Sequence, residues 1–459
     1  MTATEPCRGG GASPGEPAGP DALQHHIDAC VGCGLCLEAC PTYQETGRET
    51  ESPRGRIARL NAFLAGDLEA DAATLEPLER CLGCRGCEPV CPSGVEYGRI
   101  LELGRARFGA PGASRSGLRG ALLGLLLNQV LPRPWLRRLA LRLGRLAAAL
   151  GLVRLLGPWL PAGPAVMAGL LAAPDGPPYR PAAVEPDNPP GSDRLAVLFQ
   201  GCVQSDLFPE VHRATARLLQ RSGYGVRHAD EPGCCGALQW HQGLEDDGRR
   251  RLGATVAALD AALQRSPGAR IAVNAAGCGA LLKEAGELLE TDAARRVATA
   301  TRDWSELVDP ARLAGAGSRD RPAVVWQDAC HLAHAQGLRS EPRSLITTGG
   351  AAELRELDED DAGLCCGSAG IYNILQPELG RSLRERKLDA ILDVAPDAIL
   401  TGNPGCLLHL RAGLAERDAA PRIEHLAAWL DRRCRDRDDG SIDRPETDMA
   451  SRPRGDHSP

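Results

Sequence analysis

Two cysteine runs near the start of the chain limit what it can become more than any other feature. CVGCGLCLEACP places Cys30, Cys33, Cys36 and Cys40 ahead of Pro41, and CLGCRGCEPVCP places Cys81, Cys84, Cys87 and Cys91 ahead of Pro92. Both have the spacing C-x2-C-x2-C-x3-C-P, the pattern of bacterial two-cluster ferredoxins. Three thiolates at every third position wrap one short loop around one face of an iron-sulfur cubane, and glycines let the backbone approach the sulfides. The fourth cysteine lies beyond that loop's reach and serves the other cluster, while the proline ends the loop. The expected ligand sets are Cys30, Cys33, Cys36 and Cys91 for one [4Fe-4S], and Cys81, Cys84, Cys87 and Cys40 for the second. The competing occupant is zinc, but four-thiolate zinc sites usually draw on two separated C-x2-C knuckles.

Composition agrees with a metalloprotein. Eighteen cysteines in 459 residues is a high count, yet a chain of this length needs no disulfide staples. The opening MTATEPCRGG has no charged segment leading into an apolar one, so no secretory signal is expected. No apolar run reaches the ~18 residues of a spanning helix. A net charge of -7 and 3% aromatic residues argue against a nucleic-acid partner. Between the runs, SPRGRIARLNAFLAGDL carries Ile57, Leu60, Phe63 and Leu64 at helical spacing, with Ser52 as N-cap and Pro53 in the first turn. Arg54, Arg56 and Arg59 are placed to screen a cluster's charge, but a solvated helix face is the simpler expectation.

The C-terminal half is duplicated. Cys202, the pair Cys234-Cys235 and Cys278 recur as Cys330, Cys365-Cys366 and Cys406, with Gly236 and Gly367 in register; Cys7 and Cys434 stand alone. RLAVLFQGC, RIAVNAAGC, PAVVWQDAC and DAILTGNPGC each read as a buried strand ending in cysteine, and helical stretches alternate with them. Alternation of that kind predicts parallel α/β units with function at the strand ends. The expected fold class is thus α+β multidomain, an α-helical dicluster ferredoxin domain followed by two α/β Cys-Cys-Gly domains. The boundaries read as a tail at 1–20, a ferredoxin domain at 21–110, a basic connector at 111–190, Cys-Cys-Gly domains at 191–315 and 316–434, and a tail at 435–459. Gly/Pro-rich and charge-rich composition suggests disorder in both tails.

Taken together, CVGCGLCLEACPTY, SPRGRIARL, CLGCRGCEPVCPSGVEYG and the paired Cys-Cys-Gly units with DACHLAHAQG make the chain resemble the iron-sulfur subunit of bacterial glycolate oxidase over roughly residues 22–430. More distantly it is similar to iron-sulfur subunits of anaerobic glycerol-3-phosphate dehydrogenase, lactate-utilisation proteins and heterodisulfide reductase. The resemblance implies an electron-transfer subunit that takes electrons from an FAD-containing partner and passes them to a quinone or another acceptor. The alternatives are a glycerol-3-phosphate or lactate dehydrogenase subunit, or a heterodisulfide-reductase-like enzyme acting at the Cys-Cys-Gly domains. In the reductase relatives each unit ends in C-x2-C; here those second positions are Leu281 and His409. The four thiols left per copy suit a further cluster, a zinc ion, a structural role or thiol redox chemistry. His331 and His334 beside Cys330 either tune such a site or satisfy core carbonyls.

Between Leu103 and Pro174, a span that is mostly the connector, there are ten arginines and no acidic residue. The connector reads as helical, either packing its leucines on neighbouring domains or a partner, or lying on an anionic membrane surface. The expected location is the cytoplasm, on the inner face of the membrane. No G-x-G-x-x-G opens a helix after a strand, and GGGAS at 9–13 lies in a tail, so no flavin is expected on this chain.

Overall fold

The computed structural model describes residues 20–109, 124–152, 194–229, 233–313, 321–417 and 421–438. Both tails proper, Cys7, GGGAS and most of the connector lie outside the described residues. The fold is α+β and multidomain.

The N-terminal part is helical: α1 (Pro20–Asp28), α2 (Pro41–Thr46), α3 (Pro53–Ala65), α4 (Ala72–Glu79) and α5 (Tyr97–Phe108). Ser52 caps α3, its side chain accepting from the Gly55 amide at 2.9 Å, and Pro53 stands in the first turn as its spacing predicted. Ile57, Leu60 and Phe63 then meet Leu75, Leu78, Ile100 and Leu101 in one small core beneath the cysteine loops. Arg56 departs from the expectation of a solvated face. It is completely buried, because its Nε donates to the Pro77 carbonyl (2.6 Å) and its Nη2 to Thr42 Oγ1 (2.9 Å). Of the connector, a wide turn at Leu126–Val130 and helix α6 (Pro134–Ala149) are described.

Each duplicated unit is a four-stranded parallel sheet. β1 (Arg194–Leu198), β2 (Tyr224–His228), β3 (Arg270–Val273) and β4 (Thr301–Asp303) are ordered 2-1-3-4. β5 (Ala323–Gln327), β6 (Glu353–Arg355), β7 (Ala398–Thr401) and β8 (Arg422–His425) are ordered 6-5-7-8, the same topology one repeat later. Val324, Val325, Ile399 and Leu400 have no solvent exposure, which is why the central strands read as unbroken apolar runs. Helices cover both faces, among them α7 (Pro209–Arg221), α8 (Glu245–Arg265) and α9 (Ala276–Leu289) in the first copy. In the second copy α10 (Pro377–Asp393) and α11 (Pro404–Glu416) correspond to α8 and α9, and α12 (Leu426–Asp438) follows β8.

The copies share a core. Leu218 and Leu219 of α7 belong to the same buried cluster as Trp429 and Leu430 of α12, and Arg217 donates to both carboxylate oxygens of Asp431 at 2.8 and 2.6 Å. Cys434, which sequence context placed in a polar end, sits in that cluster at 1% exposure. The helix carrying it continues to Asp438, so residues 435–438 are helical and not part of a tail. Across the strand ends, Ala276 N–H donates to the Gly402 carbonyl (3.2 Å) and His425 Nε2 to the Asn274 carbonyl (3.0 Å). Those bridges turn the cysteine-bearing edges of both sheets toward each other.

Candidate iron-sulfur site and a central cysteine-lined cavity

The two ferredoxin-type loops surround two small voids. Cys30, Cys33, Cys36 and Cys91 line one, and Cys40, Cys81 and Cys84 line the other, with Cys87 bordering both. The fourth cysteine of each run therefore sits with the three of the other run. Positive φ angles at Gly32 (70°), Gly34 (87°) and Gly83 (63°) let the loops curl. Where the first loop has Gly34, the second has Arg85, held at φ 60° by its Nε bond to Glu88 (2.8 Å) and by an ion pair with Glu284 of the first Cys-Cys-Gly unit. Among the described residues no three His, Cys, Asp or Glu side chains converge on a single-ion position. The donors are grouped around voids.

Charge is arranged for an anionic occupant. Besides its bonds in the core, Arg56 directs Nη1 to Cys40 Sγ at 3.8 Å. Arg105, also buried, donates Nη2 to the carbonyls of Leu78 and Cys81 and Nη1 to that of His241, each at 2.7 Å. Burial opposes ionisation of Cys81, but the guanidiniums of Arg56 and Arg105 outweigh it and hold this thiol below its ordinary range. Burial pushes Cys84 and Cys87 up. A thiolate-ligated iron cluster is anionic, so two buried cations beside one loop fit it. Of the two, the sequence marks Arg56, with Arg54 and Arg59, as able to screen a cluster's charge, though a solvated face is the simpler expectation; Arg105 it does not mark.

The second cluster loop opens onto a cavity of about 340 Å³ between the duplicated units. Cys202, Cys234, Cys235, Cys278, Cys330, Cys365, Cys366 and Cys406 all line it, together with Cys81 and Cys84. Within each copy the thiols are in contact: Cys202–Cys234 at 3.7 Å, Cys235–Cys278 at 3.2 Å and Cys330–Cys365 at 3.7 Å. Cys330 is driven up by its bond to Cys365 and by burial, and Cys234, in the middle of its row, is pushed up to about 12. Contact and burial disfavour the thiolate at Cys330 and Cys234, unlike at an activated nucleophile.

The glycine after each pair has a steric reason. Gly236 and Gly367 have φ of 91° and 84°, and a Cβ on them would lie 2.8 Å from the Gly248 carbonyl oxygen and 2.3 Å from that of Gly380. Each turn rests directly on a helix backbone, which presents both thiols inward. Leu281 is part of the first copy's core. His409 is buried, donates Nε2 to the Gly380 carbonyl at 3.0 Å and is pulled down to about 4 by burial. Neither lines the cavity, so no fifth donor replaces the missing cysteines there.

His331 and His334 satisfy carbonyls. His331 Nε2 donates to Gly83 (3.1 Å), between Cys81 and Cys84, and burial lowers it to about 3; His334 Nε2 donates to Gly363 (3.0 Å). His331 thereby ties the second copy to the second cluster loop. Its ring lies 5.0 Å from that of His241, which the sequence did not mark.

The 4Fe-4S dicluster domain family matches residues 26–95, and the cysteine-rich domain family matches 196–283 and 324–411. The glycolate oxidase iron-sulfur subunit of Escherichia coli (strain K12) is 36% identical over 393 residues, covering 84% of this chain and 89% of that protein. The chain belongs to the glycolate oxidase iron-sulfur subunit family. A probable glycolate oxidase iron-sulfur subunit of Bacillus subtilis (strain 168) is 34% identical over 420 residues, 87% of this chain and 92% of the other. One subunit of a dihydromethanophenazine:CoB--CoM heterodisulfide reductase from Methanosarcina barkeri is 24% identical, covering 86% of this chain and 90% of its own length. Membership of the glycolate oxidase iron-sulfur subunit family and the dicluster match bring iron-sulfur chemistry to the segment at 26–95.

Proposed function

We propose that this chain is the electron-transfer subunit of a complex that oxidises glycolate or a close 2-hydroxy acid. Two [4Fe-4S] clusters are held by Cys30, Cys33, Cys36 and Cys91 and by Cys81, Cys84, Cys87 and Cys40. Iron-sulfur centres carry single electrons, whereas oxidising a hydroxy acid releases a pair, so an FAD-containing partner subunit performs that step and splits the pair. The observation that carries this reading is the crossed grouping of eight cysteines around two adjoining voids, with Arg56 and Arg105 buried beside the second. Leu281 and His409, both in the cores, count against disulfide reduction at the Cys-Cys-Gly units.

The chain's own residues orient and insulate. Arg56 and Arg105 neutralise the inner loop, Arg85 clamps it to the first Cys-Cys-Gly unit, and His331 clamps it to the second. The electron acceptor is a membrane quinone, reached through peripheral contact. No helix of the described residues is long and apolar enough to cross a membrane. On α6, however, Trp135, Leu139, Leu143 and Leu146, followed by Leu150, form one exposed apolar stripe flanked by Arg138, Arg142 and Arg145. That pattern suits an anionic lipid surface.

Anaerobic reconstitution followed by metal analysis tests the reading. The expected result is about eight irons per chain with magnetically interacting reduced centres. Cys40→Ser should impair the centre bound by the second run, and Cys91→Ser that bound by the first. Zinc in place of iron, or damage to the same-run centre in both variants, overturns it.

A further inference from the structure

The central cavity carries polar groups that electron transfer alone leaves without a task. Gln204 is 2% exposed and lines the cavity, and neither atom of its amide has a partner. Gln242 leaves Oε1 and His241 leaves Nε2 buried and unpartnered on the same wall. Buried amides are almost always satisfied, so an unpaired one facing a cavity points to something that enters it. Much of the remaining wall is apolar, including Leu126, Val130, Leu131, Leu141, Leu207 and Leu238. An apolar enclosure of about 340 Å³ with a few convergent polar atoms has the make-up and size of a small-molecule site.

Two further observations narrow the ligand. The cavity borders Cys81 and Cys84, so whatever occupies it sits beside a cluster loop. Helix α6 closes one side of the cavity: Arg137, Ala140 and Leu141 line it, while Trp135, Leu139 and Leu143 are exposed. Leu125, half exposed, precedes Leu126 of the wall. Arg137 pins this cover through its Nε bond to Asp206 at 2.5 Å.

We propose that the cavity binds the ring of a quinone, with the Gln204 amide donating to one ring oxygen and Nε2 of His241 facing the other. The proposal rests on the electron-transfer reading above and adds where its acceptor binds. Reduction of the ring takes up two electrons and two protons, converting both C=O groups to C–OH. The electrons come singly from the iron-sulfur centres, supplied by oxidation of the hydroxy acid on the flavoprotein partner. The protons have a route in the chain itself. His241 Nδ1 donates to Glu102 Oε1 at 2.8 Å, Trp240 Nε1 holds Oε2 at 2.9 Å, and Glu102 lines a solvent-open cleft with Arg99 and Glu284. His241 therefore stands between that cleft and the cavity.

The test uses the full-length, iron-loaded chain with decylubiquinone and a photoreactive azido derivative of it. Cross-links are expected on peptides carrying Gln204 or His241, suppressed by excess decylubiquinone. Gln204→Leu is expected to weaken decylubiquinone binding at least tenfold at unchanged iron content. Should that variant lose iron, the wild-type cross-link position decides alone. Labelling confined to the outer stripe of α6, undiminished binding by Gln204→Leu, or metal beyond about eight irons with no quinone bound overturns the proposal. A chain that takes up no iron overturns the electron-transfer reading instead, and the metal analysis separates the two failures.

Discussion

Arg56 has no solvent exposure, and a buried cation persists only where its charge and its donors are answered. Here Thr42, the Pro77 carbonyl and the thiols of Cys40 and Cys81 answer it. Its charge must in turn favour the reduced, more negative form of the adjacent centre. Arg56→Gln should lower that centre's reduction potential by roughly 50–100 mV, as expected for a charge interaction of about 1–2 kcal/mol at an effective dielectric near 20. Redox titration followed by spin resonance measures it; an unchanged or raised potential contradicts the role. Gly367 is the second residue-scale case. Alanine there meets both an unfavourable φ and a carbonyl oxygen 2.3 Å away, against 2.8 Å at Gly236. Gly367→Ala should destabilise by about 2–4 kcal/mol and by more than Gly236→Ala, read from denaturant midpoints. Equal, small effects would show that the turns relax freely.

Helix α6 is the element whose sequence left two readings open, and in the structure one of its faces packs inward while the other is exposed. Its inward positions close the cavity and its outward positions repeat at 135, 139, 143, 146 and 150, the spacing of a single helical stripe. Replacing Leu143 and Leu146 together by Glu puts two negative charges where the helix would meet lipid. Sedimentation with phosphatidylglycerol vesicles should fall at least tenfold, while binding to phosphatidylcholine vesicles stays weak for both forms. Equal sedimentation of variant and parent would assign the stripe to a protein partner. The strands were legible for a different reason. Val197, Ile271, Val324 and Ile399 lie in central strands covered on both sides, so their runs are apolar without alternation.

At the scale of the whole molecule, one core cluster runs across both sheets, while the first sheet keeps a second cluster of its own. The Asp431 side chain is 2% exposed and holds Arg217 of the other copy, whose own side chain is 41% exposed, so Asp431→Ala removes the pair but leaves the guanidinium in reach of water. A loss of about 1 kcal/mol is expected. Hydrogen exchange should show β1, β3, β5 and β7 losing protection together; selective opening of the second sheet would show that the copies fold independently. The ferredoxin part is tied to both through Arg85–Glu284 and His331–Gly83, which keeps its inner loop against the cavity.

Local chemistry written in short spans was readable from the chain alone: the eight-cysteine spacing, the Ser52-Pro53 helix start, the duplicated Cys-Cys-Gly units and the apolar strands before them. Each depends on neighbours a few positions apart, or on exact repetition. Tertiary structure alone decided which side chains from distant segments meet. It buried Arg56 and Arg105, drew Cys434 into a core, and collected Gln204, His241 and eight thiols around one cavity. The reason is physical: burial and electrostatic pairing depend on what packs opposite, and partners such as Arg85 and Glu284 stand 199 residues apart along the chain.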